Sequence, residues 1–535
     1  MSEPIAIPDR LNMVTFFLDD RIAEGKGDQI ALVHSDLRAG GDVAAATTTT
    51  RTYRELVAGS CRVTGALREL GLGIEDRVQL LLLDTPEWVE AYFGVLRAGC
   101  IAVPTNTWLQ PKDYAYYLEY ARPKAVIVDA EVWPALAPVF RDAPYTRHFI
   151  VLDRARRPVP EGTHDWHALV GRQPDVATTE PTWRDDFSTW LSSSGSTGNP
   201  KCVMHMHHDF VWNTVAYAQR TLQLRGSDRT LSAPKLFFGY ALASNMLFPF
   251  SVGGSCVLVH ERLEASDYLA LIEQHRVTQF VTVPTNIAKL TALEDTQRHD
   301  LGSLHSLVSA GEALPPRLYH DFKARYGVEI YDGIGSAEMF HVYITNRPGD
   351  VKAGSLGRLV EGYRYRLIDD DDKPVGPGEM GTLVIEGPSA GAGYWRMRDK
   401  SRETFWGDAV KGGDKFIVDD EGYFWYCGRG DDMLKCSGVY VSPVEVEDCL
   451  LGHPAVHEAG VVGHRDEAGL EKVMAFVELE QGVEGTAALA EELIAFARSR
   501  IAAFKAPRRI EFTTLPRTDT GKIRRAALRE KAGGA

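Results

Sequence analysis

The segment Ser192–Lys201, SSSGSTGNPK, combines residue types that can hold a chain of phosphates. Gly195 and Gly198 let the backbone come close to oxygen atoms, and successive N–H groups form a concavity for anions. Ser193, Ser194, Ser196 and Thr197 surround it with hydroxyl donors, Asn199-Pro200 stiffens the exit, and Lys201 adds a mobile positive charge. A flexible Ser/Gly linker has no use for a Pro-Lys ending between two apolar segments. The G-x-x-x-x-G-K-[ST] signature of other nucleotide loops is absent, so a different class of phosphate loop is expected.

SSSGSTGNPK resembles the phosphate loop of the adenylate-forming superfamily: acyl- and aryl-CoA ligases, carrier-loading adenylation domains and firefly luciferase. Further segments follow in that family's order. They are Ser309–Glu312 (SAGE), Tyr331–Glu338 (YDGIGSAE), Gly413-Asp414, Gly428–Gly438 (GRGDDMLKCSG) and Pro516–Ile523 (PRTDTGKI). The resemblance therefore runs from the loop nearly to the last residue.

It implies a two-step reaction. A carboxylate attacks the α-phosphate of ATP, and a thiol then displaces AMP from the acyl-adenylate. Such chemistry needs two anions aligned and the charge on phosphorus neutralised. The resemblance assigns Mg2+ to Glu338, a hard carboxylate ligand. It borders the adenine with Ser309, Ala310, Gly311, Glu312, Asp332 and Gly333, and places Asp414 and Arg429 on the ribose. Lys522 is the catalytic lysine of adenylation, with Lys201 and Glu338 as its partners. Asp431 maps to the pivot of a swinging C-terminal domain, and Gly438 to the tunnel that admits the coenzyme A thiol. Two positions depart from the pattern: Ala337 stands where many members carry Thr, and Gly412 where Thr is frequent. Ser336 is the candidate to replace the missing hydroxyl.

KLFFGYAL (Lys235–Leu242) and GIGSAEMFHVY (Gly333–Tyr343) resemble the benzoate-type aryl-CoA ligases. The implied acid pocket comprises Phe238, Gly239, Tyr240, Gly333, Ile334 and His341. Its glycines would leave room for a ring edge, and Tyr240 and His341 would bond a ring substituent. Benzoate, 2-aminobenzoate and hydroxybenzoates head the substrates. Free coenzyme A is the expected acceptor, since no carrier domain follows Lys522; a stand-alone enzyme loading a carrier protein in trans is the alternative.

The elements that must position these residues read as α/β. Val78–Leu83, Cys100–Pro104, Lys124–Asp129, His148–Asp153, Ser255–Val259 and Gln279–Val283 are short apolar runs expected as buried parallel strands. Pro86–Ala98 between two of them has helical spacing with a proline at its start. Gly40–Thr50 reads as a hairpin tip or surface loop, and Gly428–Asp432 as a linker. Beyond it, a helix at Ser442–Leu451, a strand at Val473–Glu480 and a helix at Ala488–Ala502 make a second unit. The expected architecture is a large multi-sheet N-terminal domain (1–430) with a small mobile α+β C-terminal domain (431–535).

Composition agrees. The 535 residues are 44% hydrophobic and 25% charged, with a formal net charge of −14, which disfavours nucleic acid or an anionic membrane as the main partner. Seven scattered cysteines without C-x-x-C spacing suggest neither zinc nor disulfides. The N-terminus carries no secretory signal pattern, and no apolar run is long enough to span a bilayer. A cytoplasmic enzyme using ATP, Mg2+ and coenzyme A, with a homodimer possible, is the resulting expectation.

Overall fold

In the computed structural model the described residues are 3–37, 43–193, 200–294, 299–430, 432–436, 439–465, 471–517 and 523–533. Two large sheets dominate. One has seven strands, in the spatial order His164–Asp165, His148–Leu152, Ala125–Asp129, Arg77–Leu81, Ile101–Pro104, Phe187–Ser193 and Lys201–Met206. Its first six strands run parallel, and the last closes an antiparallel hairpin with Phe187–Ser193. Every residue of Ala125–Asp129 and Ile101–Pro104 is buried, as their continuous apolar runs require of strands covered on both faces.

The second sheet has nine strands. Its centre is Glu329–Gly335, Ser306–Ser309, Gln279–Thr282, Arg229–Ser232, Ser255–Leu258 and Ile30–Asp36, all parallel. Helix Pro86–Arg97 starts behind Thr85, and all its residues except Glu87 are buried. One apolar cluster joins the two sheets through this helix and Tyr53–Glu69. A five-stranded antiparallel sheet, Arg364–Ile368 to Phe424–Arg429, follows.

The chain ends in a smaller α+β unit. Strands Val456–Arg465, Glu471–Leu479 and Arg509–Phe512 form a sheet against helices Pro443–Leu451 and Ala487–Arg500. Val446, Leu450, Val461, Val473, Leu493 and Ala497 form a core of its own. Ser442 caps the first of these helices by accepting from the Glu445 amide at 3.2 Å.

Two expectations need correction. Thr47–Thr52 is a strand, antiparallel to Ile30–Asp36, so the threonine run is not loop. β-Branched residues suit an exposed edge strand even where no apolar alternation marks it. Gly428 and Arg429 end strand Phe424–Arg429 and pair with Lys415 and Asp414, so the linker stretch begins inside a sheet. Its glycines and charges mark a ladder whose register shifts at Lys415/Phe416 rather than an unpaired segment.

Glu90 lies inside the helical layer at 7% exposure, with Arg51 Nε 3.7 Å away. Burial, helped by Glu87, pushes its carboxyl up to about 7, against Arg51 and Arg62. The folded state thus binds this proton more tightly than the unfolded chain. Ionising Glu90 costs stability above pH 7, and the cost fades as pH falls toward 4.5. Glu90→Gln is expected to gain about 2–3 kcal/mol at about pH 8.5 and little at about pH 5. Thermal unfolding at the two pH values measures it, and equal gains at both would contradict this origin.

Candidate active site

The phosphate segment is flanked by the antiparallel strands Phe187–Ser193 and Lys201–Met206 at the edge of the seven-stranded sheet, where Ser193 stands opposite Lys201. Ser194, Gly195, Ser196, Thr197 and Gly198 lie outside the described residues, as do Asp431, Gly438 and Lys522. Lys201 is largely buried, and its Nζ donates to the Tyr394 hydroxyl at 2.7 Å and lies 3.4 Å from Glu338 Oε1. The ammonium also sits 4.0 Å from the Tyr394 ring centroid. Burial lowers its pKa while Glu338 opposes the shift. Tyr394 donates to Glu338 Oε1 at 2.6 Å, so one phenol links the two.

Glu338 sits on the single 3-10 turn Ala337–Met339, which follows the end of strand Glu329–Gly335. Two contacts pin that turn from outside: the Gly391 amide donates to Glu338 O at 2.9 Å, and Ser389 Oγ to Met339 O at 2.9 Å. Behind it, His205 Nε2 lies 2.7 Å from Ala337 O, and its Nδ1 lies 2.7 Å from Asp209 Oδ2. Both side chains are fully buried. The carbonyl only accepts, so Nε2 carries a hydrogen, and a further proton lies between Nδ1 and the carboxylate.

Immediately after Glu338 the backbone reverses. Phe340 has φ 68° and ψ −56°, and the His341 amide donates to Met339 O at 2.9 Å. This is a γ-turn of the strained hand, held because the Phe340 ring packs against Phe210 with centroids 4.2 Å apart. The reversal separates Glu338 from His341, which enters an aromatic cage of Tyr217, Tyr240 and Phe248.

Asp414 and Arg429 are cross-strand partners with Nε 3.8 Å from Oδ1, and Tyr426 donates to the same oxygen at 3.3 Å. The sequence leads to Asp414 and Arg429 together but carries no signal for Tyr426. Arg429 lowers the Lys201 pKa, and Asp414 and Glu338 together raise that of buried Tyr343 after burial itself. The two groups of residues therefore share one electrostatic locale. Asp332 is 5% exposed, and burial pushes its carboxyl up to about 8. Ser309, across the ladder, and the Gly333 amide oppose that rise. A neutral carboxyl beside a hydroxyl offers a donor and an acceptor to a base edge. Ala310 is buried and Gly311 exposed with φ +89°. Glu312 turns away: its Oε2 accepts from the Thr285 amide at 3.0 Å and hydroxyl at 2.7 Å, at the start of helix Pro284–Ala292.

The loop Pro234–Tyr240 is held from the other sheet. Buried Asp84, just past strand Arg77–Leu81, accepts from the Leu236 amide at 3.1 and 3.2 Å. Burial pushes its carboxyl up to about 6, although Lys235 pulls the other way. Lys235 donates to Glu261 O at 2.9 Å. Phe238, Gly239, Tyr240 and Ile334 remain partly exposed, as pocket walls must. The Tyr240 hydroxyl, however, is directed to Thr282 O and Val308 O, both at 3.2 Å, so it ties two strands and has no hydrogen for a substituent.

Nor do the glycines act as open space. A Cβ on Gly239 would lie 3.1 Å from Leu191 Cδ1, and one on Gly333 would lie 2.7 Å from Ile344 O. Close packing against the neighbouring strand requires glycine at 333, whereas at 239 the Leu191 side chain would have to give way. His341 differs. Its Nε2 donates to Tyr240 O at 3.2 Å and lies 3.0 Å from Ser244 Oγ, while Nδ1 has no partner among the described residues. Burial holds its imidazole down at about 3, so it stays neutral.

Asp84→Ala leaves the Leu236 amide buried without an acceptor, a loss of about 1–3 kcal/mol at the loop. The expected outcome is a raised KM for the acid with KM for ATP little changed, while Asp84→Asn, which keeps an acceptor oxygen, is milder. Steady-state kinetics with each substrate varied in turn checks this. Parallel rises in both KM values would mean that the loop does not shape the acid site.

Residues 20–395 match the AMP-binding enzyme family, and residues 445–522 match the AMP-binding enzyme C-terminal domain. The chain belongs to the AMP-binding enzymes. Among curated AMP-binding enzymes it is 39% identical over 528 residues to a benzoate–CoA ligase of Thauera aromatica, covering 98% of this chain and 97% of that one. It is 36% identical over 526 residues to a 4-hydroxybenzoate–CoA/benzoate–CoA ligase of Rhodopseudomonas palustris, covering 98% and 94%. The anthranilate CoA ligase AuaEII, solved in complex with anthranoyl-AMP, superposes with a TM-score of 0.90 at 38% identity, covering 98% of both chains. A benzoate CoA ligase from Burkholderia xenovorans LB400 gives 0.85 at 38% identity, covering 97% and 100%. These full-length likenesses carry the α/β fold with its smaller C-terminal domain.

The AMP-binding enzyme site also fits a divalent cation. Both contacts of the Glu338 carboxylate described above fall on Oε1, which leaves Oε2 as a hard oxygen ligand beside the phosphate hairpin. Tyr394, Tyr426, His205 and Asp209 escaped sequence reading. Only the close His205/Asp209 spacing after Lys201 was visible there, and nothing in it indicates contact with a turn 132 residues away.

Proposed function

We propose that this AMP-binding enzyme is an AMP-forming acid–CoA ligase that activates a small aromatic carboxylic acid. The supporting observation is the set of partly exposed apolar walls Phe238, Tyr240 and Ile334, beside the γ-turn that follows Glu338. A flat ring suits such walls. The benzoate, hydroxybenzoate and anthranilate ligases among its relatives support the same class.

In this reading a carboxylate oxygen of the acid bonds to the α-phosphorus of ATP as the bond to pyrophosphate breaks. The coenzyme A sulfur then attacks the acyl carbon, its proton is lost, and AMP leaves. Magnesium, when bound, would neutralise phosphate charge, with Glu338 as its protein ligand. Lys201 and residues 193–198 hold the phosphates, Asp414 and Arg429 the ribose, and Asp332 with Ser309 the adenine edge. Lys522 neutralises the two approaching anions. Residues 1–430 form the ATP- and acid-binding domain and 431–535 the moving one, with Asp431 as pivot and Gly438 in the thiol path. His341 Nδ1, buried and without a partner among the described residues, would accept from an amino or hydroxyl hydrogen on the ring of such an acid. Together with cysteines that form no disulfide among the described residues, and no helix among them long and apolar enough to cross a membrane, ATP and coenzyme A as substrates point to the cytoplasm.

Mass spectrometry of the enzyme with ATP, magnesium and a panel of aryl and aliphatic acids, with and without coenzyme A, tests this reading. An aryl-CoA product with AMP is expected, with 2-amino- or hydroxybenzoates ahead of benzoate. Acyl-adenylate that persists with coenzyme A present would point to a carrier protein or another acceptor. Absence of AMP with every aromatic acid would overturn the reading.

A further inference from the structure

Tyr394 is the one described side chain that hydrogen-bonds to both Lys201 and Glu338. The directions of its two bonds are fixed by chemistry. An ammonium can only donate, so the phenol oxygen accepts from Lys201 Nζ at 2.7 Å; a carboxylate can only accept, so the phenol hydrogen goes to Glu338 Oε1 at 2.6 Å. The ring lies under the same ammonium at 4.0 Å. Tyr394 is itself fixed: its amide donates to Ser401 Oγ at 2.9 Å, and its ring packs edge-on against Phe405 at 5.1 Å. It also pairs with Val203 in the strand that begins at Lys201.

From this geometry we infer that Tyr394 is a positioning residue for the metal carboxylate. Its hydroxyl occupies Glu338 Oε1 and orients Oε2 toward the cation that accompanies ATP, while its ring carries Lys201 independently of the hydroxyl. Without the hydroxyl, Oε1 loses the bond that fixes it, the Glu338 carboxylate is free to rotate, and Oε2 is no longer held toward the cation. The inference rests on the reading of Lys201 and Glu338 as MgATP residues.

The test is isothermal titration of the full-length enzyme with ATP in the presence and absence of magnesium, a readout that needs no turnover. Tyr394→Phe keeps the ring under Lys201 and against Phe405. The advantage of MgATP over magnesium-free ATP is expected to fall about tenfold in this variant, the equivalent of one hydrogen bond to a charged group. Magnesium-free ATP should bind as in the parent. An unchanged advantage, or an equal weakening of both forms, overturns the proposal. A thermal melt of each variant verifies folding, and Tyr394→His, which restores a ring N–H donor, should recover part of the advantage if the variant lacking the donor has lost it. Glu338→Gln is titrated in parallel. If it keeps the full magnesium advantage, the reading of the metal site has failed; if it loses the advantage while Tyr394→Phe keeps it, only the role of Tyr394 falls.

Discussion

Lys522→Ala is expected to slow acyl-adenylate formation about 100- to 1,000-fold and to leave transfer from supplied acyl-adenylate to coenzyme A largely intact. The reason lies in how the other cations of the site are engaged. Lys201 is 3.4 Å from Glu338 and bonded to Tyr394, and Arg429 is 3.8 Å from Asp414. Each is already engaged with an anion of the protein. The approach of a carboxylate to an α-phosphate brings two further negative charges together, and a separate ammonium must neutralise them. Pyrophosphate release with acid and ATP measures the first half-reaction. Thioester formation from synthetic adenylate measures the second. Equal losses in both would remove Lys522 from the role assigned to it.

Asp209→Ala is the second large effect, and it acts on the fold beneath the site. With Nε2 of His205 committed to Ala337 O and Nδ1 facing the Asp209 carboxylate, removal of Asp209 strands a fully buried imidazole. Breaking such a pair from one side costs about 3–5 kcal/mol. The Met206 amide also loses its 3.1 Å acceptor at the start of helix His207–Asn213. A lowered thermal midpoint is expected, together with weaker MgATP binding, because the turn that carries Glu338 loses its rear support. Asp209→Asn retains an acceptor oxygen for Nδ1 and should be clearly milder. If the alanine variant melts like the parent, the pair contributes no net stability.

Much of this enzyme is legible in its sequence. Strands such as Ala125–Asp129 and Ile101–Pro104 reveal themselves because burial on both faces demands an unbroken apolar run, and Pro86 marks a helix start by its own geometry. Where burial is one-sided or absent, that signal vanishes. Thr47–Thr52 is a strand on an exposed edge, and Phe424–Arg429 hides a ladder under glycine and charge. Asp414 and Arg429 were paired by family pattern, and the register of two strands shows why they meet.

What the sequence by itself determined is which groups are proposed for the reaction: the hydroxyl- and glycine-rich loop, Lys201, Glu338, Asp414, Arg429 and Lys522, each standing in a short segment that matches the family's pattern. Tertiary structure alone decided which side chains hold those groups in place. Tyr394 reaches Lys201 across 193 residues, His205 reaches Ala337 across 132, and Asp84 reaches Leu236 across 152. It also decided that the Tyr240 hydroxyl binds strand carbonyls while His341 Nδ1 keeps its acceptor. The physical reason is common to all of these. Type and spacing specify what a residue can donate or accept, whereas its partner depends on which strands the crossovers bring side by side.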